Sequence, residues 1–303
     1  MPTCAACGSG GLVPHFGVAG DIGNRGLIPT TDRFGTALGD IVRCTRCTHM
    51  QLDRFPAAAE LAEAYGEAES EDYIEEEEGQ RETARWILDR VEAHVDRGAL
   101  LDLGCWVGFL LAEARERGWR TLGVEPSEFA SRYASDVLGL EVIHSDLERT
   151  DLPAAGFEAV FLGDVIEHLA DAAAALDRIA SALVPGGVVA LALPDAGSRL
   201  ARAMGRRWWA VVPTHVHYFT RRSLGTLLAR RGFEPISFET APKAFTVRYY
   251  LGRIGGYSER VARLLVDLAA AAGVADRIWA PDFRDRMLVV ARAPGGGGSP
   301  PAS

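Results

Sequence analysis

Apolar and polar positions change their period several times along the chain, and those changes divide it. From Ala99 to Leu103 the sequence is almost continuously apolar; it breaks at Gly104 and Gly108 and resumes as an amphipathic segment through Leu111. A short apolar run, a glycine turn and a helical period predict strand, turn and helix. The pattern repeats, predicting strands over 99–103, 120–125, 140–143, 157–162, 187–193, 233–239 and 286–292. Helices are predicted over 108–117, 127–138, 166–182 and 221–231. Strands alternating with helices in this way build an α/β fold around a doubly wound, mainly parallel sheet.

The flanking regions follow other rules. Residues 56–97 are acidic and helical in period, with Leu61, Tyr65, Trp86, Ile87, Val91 and Val95 at roughly helical spacing and a solvated run from Glu75 to Glu78. This segment is expected to act as a connector, from which Tyr65 and Tyr73 could reach an active site as lid residues. Residues 242–281 are expected to form a helical insertion, whose apolar stripe could pack on the core, cover a pocket, serve a homodimer or touch a membrane. Residues 294–303 are rich in glycine, serine and proline and are expected to form a flexible tail.

Residues 1–55 lack such periodicity and instead carry Cys4-x-x-Cys7 and Cys44-x-x-Cys47. Two such turns, each bringing two thiolates together, predict a tetrahedral four-cysteine Zn2+ site of the ribbon kind. His15 and His49 stand nearby, but four thiolates already close the shell. A closed shell leaves no position for substrate, so this site is expected to be structural. The core would then occupy 98–293. Apolar content of 48% and charged content of 24% are ordinary for a globular chain, and a net charge of −9 with no basic face argues against nucleic acid as partner. No leader and no transmembrane run is apparent, and the cysteine usage suits a reducing compartment, so a cytoplasmic location is expected.

The glycine turn supplies the first candidate for binding chemistry. Glu125 closes the second predicted strand, about twenty residues after Gly104, where a Rossmann-type unit places the acid that binds ribose hydroxyls. The order Asp102-x-Gly104-x-x-x-Gly108 is not G-x-G-x-x-G, which counts against a nicotinamide dinucleotide. It resembles motif I of the Rossmann-fold methyltransferases that use S-adenosylmethionine (SAM). Val124-Glu125-Pro126-Ser127, Ser145-Asp146-Leu147, Asp164-Val165-Ile166-Glu167-His168 and Leu183-Val184-Pro185-Gly186-Gly187 extend the resemblance in order. It implies a seven-stranded Rossmann-like methyltransferase sheet whose last strand is antiparallel. It also implies a SAM site made by Asp102, backbone from Gly104 through Cys105 and Trp106 to Gly108, Glu125 and Pro126, Asp146 and Leu147, and Gly163 or Asp164. Trp106 stands where the commonest pattern has glycine, and Cys105 reads as a small buried filler.

Strand ends carry the ligands in open α/β sheets. Past the fifth predicted strand comes Trp208-Trp209-Ala210-Val211-Val212-Pro213-Thr214-His215-Val216-His217-Tyr218-Phe219. On an extended segment His215 and His217 would share a face, but no third ligand for a second metal is evident. Here the chain resembles a narrower family, the zinc-module methyltransferases that include nucleotide-sugar C-methyltransferases. The resemblance rests on Cys4, Cys7, Cys44 and Cys47, on Tyr65 and Tyr73, and on His215 to Phe219. It implies that a histidine deprotonates a small-molecule substrate, with His215 first and His217 second as general base, while His168 fixes the loop after strand four. Thr214 replaces the acid of the sugar enzymes, and their further C-terminal domain has no counterpart here. Both departures favour O-methylation of a small hydroxylated metabolite of specialised or glycan metabolism over C-methylation of a nucleotide-linked deoxysugar. A zinc-ribbon binding protein with an inactive core is the reading from another class.

Overall fold

A computed structural model describes residues 2–20, 34–56 and 72–295. Leu61, Tyr65 and residues 296–303 of the expected tail lie outside the described residues. The chain forms β1 (Leu12–Phe16), β2 (Ile41–Cys44), β3 (Met50–Leu52), β4 (Ala99–Leu103), β5 (Arg120–Glu125), β6 (Val142–His144) and β7 (Phe157–Gly163). It continues through β8 (Leu183–Pro194), β9 (His217–Tyr218), β10 (Glu234–Thr240), β11 (Phe245–Thr246), β12 (Ile278–Trp279) and β13 (Arg286–Arg292).

Seven strands make the main sheet in the order β10-β13-β8-β7-β4-β5-β6, parallel along β8, β7, β4, β5 and β6. β13 runs antiparallel to both β8 and β10. Side chains alternate across this sheet, so both faces read as apolar. Leu101, Leu103, Val160, Leu162, Val189 and Leu191 enter one buried cluster, and Leu100, Ala159, Phe161, Val188 and Ala190 enter the other. Helices cover both clusters, which makes the sheet doubly wound.

Helix starts follow local capping chemistry. Ser127 accepts from the Ala130 N–H to open the helix Glu128–Arg132, which passes into a π turn over Tyr133–Val137. The helix predicted from residue 166 begins only at Ala172, because the Asp171 carboxylate accepts from the Ala173 and Ala174 N–H groups and fixes the start there. Residues 164–171 are thereby left as a loop at the carboxyl end of β7. The expected insertion holds helices Val247–Arg253 and Glu259–Ala271, closed at its base by the β11–β12 pair. Among the described residues no helix is long and apolar enough to cross a membrane.

The second sheet has the order β1-β2-β3-β9. Its last strand comes from the segment that follows β8: Met50 pairs with Tyr218 and Gln51 with His217. The cysteine-bearing residues and the core therefore share one hydrogen-bonded ladder.

Candidate functional site

A cavity of about 360 Å³ opens over the carboxyl ends of β4, β5 and β7. Asp102, Gly104, Cys105, Trp106, Gly108, Glu125, Pro126, Asp146, Leu147, Gly163 and Asp164 all line it, as does Tyr73. The turn after β4 explains the two glycines. Gly104 has φ +72° and a Cβ there would lie 2.5 Å from the Val165 side chain; Gly108 has φ +84° and would meet Leu140 at 2.6 Å. Trp106 also sits in the left-handed region, at φ +49°. Its ring packs with Val107, Phe109 and Ala130 and meets Tyr73 edge-on at 6.3 Å, so it lines the cavity without filling it.

Glu125 is held from both sides. The Trp106 N–H donates to one carboxylate oxygen at 2.7 Å and the Ser127 N–H to the other at 2.9 Å. Burial pushes its pKa up to about 7, against the opposing pull of those two donors. Asp102 is buried, and burial together with the Glu125 charge raises its pKa well above the usual carboxylate range. Asp146 turns its carboxylate to its own loop, accepting from the Arg149 N–H at 2.8 Å.

The other end of the cavity is built by the loop after β7. Asp164, at φ +56°, is gripped by Lys243 and by Arg286, whose Nη2 donates to it at 2.6 Å. Burial works to raise the Asp164 pKa, but the two cations outweigh it and hold the carboxyl well below its usual range. His168 lines the cavity and donates from Nδ1 to the Thr214 carbonyl at 3.0 Å. Burial brings its pKa down to about 4. The His215 ring stands behind His168, 4.5 Å between centroids, and burial with its histidine neighbour lowers its pKa well below 6.5.

His215 and His217 do not share a face. A turn closed by His215 N–H donating to the Val212 carbonyl interrupts the segment, and the strand begins only at His217, so the alternation expected of an extended run does not hold. His217 turns away from the cavity toward β3, bonding His49 at 3.2 Å and packing on Phe55 and Phe219. This corrects its expected place as second base: it is buried in the interface between the cysteine-bearing sheet and the core. His168, expected to fix a loop, is the histidine that lines the cavity.

Lys243 and Arg286 were not singled out by motif. Arg286 had a usable signal: a strand antiparallel to its neighbours starts at their carboxyl end, so its first residue lies on the rim. Lys243 reaches the site through the fold of the insertion, for which spacing offers no guide.

The four cysteines converge. Cys4 Sγ lies 3.5 Å from Cys47 Sγ and Cys7 Sγ 3.6 Å from Cys44 Sγ, and all four sulfurs fall within 4.8 Å of one another. A tetrahedral Zn2+ with bonds of about 2.3 Å needs sulfurs roughly 3.8 Å apart, so the set fits the ion. Each Cys-x-x-Cys turn ends in a left-handed residue, Gly8 at φ +72° and Thr48 at φ +68°. The Thr48 hydroxyl is tied to that of Thr220 at 2.9 Å.

Comparison with known proteins agrees with this geometry. Residues 75–237 match the family described as methyltransferase domain, which is more than half of the chain. A ubiquinone biosynthesis O-methyltransferase of Nitrobacter winogradskyi is 36% identical over 98 residues, covering 30% of this chain and 36% of that protein. A trans-aconitate 2-methyltransferase of an Azoarcus species is 32% identical over 150 residues, covering 47% and 58%. The matched region thus spans only about a third of the length of the first of these relatives. Among solved structures, a chain of the complex between the Haloferax volcanii Trm112 methyltransferase activator and a methyltransferase has a TM-score of 0.51 at 14% identity, covering 72% of this chain and 93% of that one. The Burkholderia thailandensis 1,6-didemethyltoxoflavin-N1-methyltransferase has a TM-score of 0.50 at 17% identity, covering 82% and 97%. The sheet order, the strand-end cavity and the family match lead to one assignment: the chain belongs to the methyltransferase-domain family, and its core is that of a SAM-dependent methyltransferase.

Proposed function

We propose that the protein transfers a methyl group from SAM to a hydroxyl of a small metabolite. The observation that carries this reading is a single cavity with an oriented carboxylate, Glu125, at one end and an imidazole, His168 backed by His215, at the other. Glu125 holds the ribose diol, the glycine turn lies along the methionine part, and Asp146 and Leu147 border the adenine. Asp164 faces the methionine ammonium, and Tyr73 closes the cavity from the connector side.

SAM supplies an activated methyl group when bound; the protein must align the acceptor with it and dispose of the hydroxyl proton. Alignment of two bound reactants can contribute about 7–11 kcal/mol to lowering the barrier. The imidazole end of the cavity is where the hydroxyl loses its proton, which departs from the expectation that His215, or second to it His217, meets the substrate. Zn2+ on Cys4, Cys7, Cys44 and Cys47 would hold the N-terminal sheet against the segment that carries His215, with no part in the chemistry. The test is incubation with labelled SAM and a panel of hydroxylated metabolites, alongside calorimetry with the demethylated product, S-adenosylhomocysteine. Label transfer with a loss of about 10²–10⁴-fold in kcat for His168→Ala is expected. Absence of any binding of SAM or its product would overturn the reading.

A further inference from the structure

Glu167 is the buried group that the transfer chemistry above leaves without a task. Its residue is 2% exposed, and neither carboxylate oxygen has a hydrogen-bond partner in another residue among the described residues. A carboxylate taken out of water without a partner costs several kcal/mol, so a buried one calls for a counter-charge. The two nearby cations do not supply direct contacts: Lys243 and Arg286 both bond Asp164 instead. Beside Glu167 stand the Asp164 carboxylate and a pair of imidazoles; burial, with the Asp164 charge added to it, pushes the Glu167 pKa up to about 8. One ligand atom from each of Glu167, His168 and His215 lies within 4.8 Å of the others.

We infer that Glu167, His168 and His215 form a binding site for a divalent transition-metal ion, with an open position toward the cavity where the acceptor hydroxyl coordinates. The backbone sets up the three residues. The Glu167 carbonyl accepts from both the Val216 and the His217 N–H groups at 3.0 Å, which pins the loop after β7 to the segment carrying His215. The His168 Nδ1–H donates to the Thr214 carbonyl, so its lone pair is on Nε2. Metal-binding histidines characteristically donate their second nitrogen to such an acceptor, which fixes tautomer and ring direction.

Two imidazoles and a carboxylate suit zinc, iron(II), manganese(II) or cobalt(II); magnesium and calcium prefer all-oxygen sets. Bonds of about 2.0–2.2 Å bring ligand atoms to roughly 3.4 Å apart, a closure reached by small side-chain rotations. Three protein ligands leave a tetrahedral ion one open position. Because His168 lines the cavity and Glu167 is buried, that position opens on the cavity. In the transfer, an acceptor hydroxyl coordinated there releases its proton to water. The oxygen forms a bond to the SAM methyl carbon as the carbon–sulfur bond breaks, giving the methyl ether and S-adenosylhomocysteine.

The catalytic part of this inference rests on the proposed function, and the test separates the two. The full chain is equilibrated in turn with Zn2+, Mn2+, Fe2+ under anaerobic conditions and Co2+, then desalted and its metal content measured. Wild type is expected to hold one equivalent more of at least one of these ions than Glu167→Gln and His215→Ala, in samples that all bind S-adenosylhomocysteine by calorimetry. Co2+ added to zinc-loaded protein is expected to give the weak visible bands of a nitrogen–oxygen site, without the intense thiolate bands of a cysteine site, and to give none in the variants. Equal metal content in wild type and both variants for all four ions would overturn the inference, with Glu167 then a neutral acid. Product binding that fails while the extra equivalent is present would overturn the methyltransferase reading alone.

Discussion

Glu125 concentrates the electrostatics of one end of the cavity in one side chain. With its pKa up to about 7, it is partly protonated in the ligand-free protein near neutrality, whereas a ribose diol donates two hydrogen bonds to the ionised form. Affinity for S-adenosylhomocysteine is therefore expected to rise between pH 6 and 8, and Glu125→Gln should flatten that rise and weaken binding by roughly tenfold, as calorimetry across pH would measure. For the ligand-free protein the sign is reversed. A carboxyl whose folded pKa exceeds its ordinary 4.5 contributes stability that is present below 4.5 and lost as pH rises through about 7. The thermal midpoint of Glu125→Gln should accordingly fall less than that of wild type over this range. Trp106 teaches a different lesson at the same scale. The one-letter pattern said that an indole occupies a glycine's place; the backbone does take a glycine-like φ there, but the ring is carried into a cluster with Phe109. Only the direction of the side chain decides whether the cofactor has room, and spacing does not encode it.

At the scale of elements, the pairing of β3 with β9 joins two regions that are 168 residues apart at His49 and His217. With Zn2+ proposed on the four-cysteine set, chelation is expected to loosen the ladder and with it residues 215–219, read as faster amide hydrogen exchange there. Exchange in β4 and β5 should change little. S-adenosylhomocysteine affinity should accordingly survive chelation better than turnover does. His217→Ala removes a buried ring from this interface and is expected to cost about 1–3 kcal/mol of stability while leaving product affinity near wild type. If His217→Ala instead cut turnover at unchanged thermal midpoint, its role as a second base would return.

For the whole molecule, the sheet was legible because its central strands are local apolar runs and the others, such as β10, alternate apolar with polar residues, and all seven lie within a few residues of their expected bounds. The residues that line the cavity around the glycine turn were legible because strand, turn and acid follow one another in sequence. The other end of the cavity was not. It is assembled from Asp164, His168, His215, Lys243 and Arg286, contributed by separate loops, the insertion and the rim of β13. Such a site is a product of chain crossings, and no period or spacing reports it. Lys243→Ala should release one of the two cations on Asp164 and thereby change S-adenosylhomocysteine affinity, as calorimetry with wild type and variant would measure.

β13 runs against its neighbours, and this orders the molecule in one more way. Arg286 opens the strand at the cavity rim, while Ala293, beyond its other end, bonds back to the Gly187 carbonyl where β8 is still beginning. Gly295, the last described residue of this stretch, therefore lies toward the floor of the sheet, a full strand length from the cavity rim. An affinity handle joined at that position should leave the mouth of the site unobstructed.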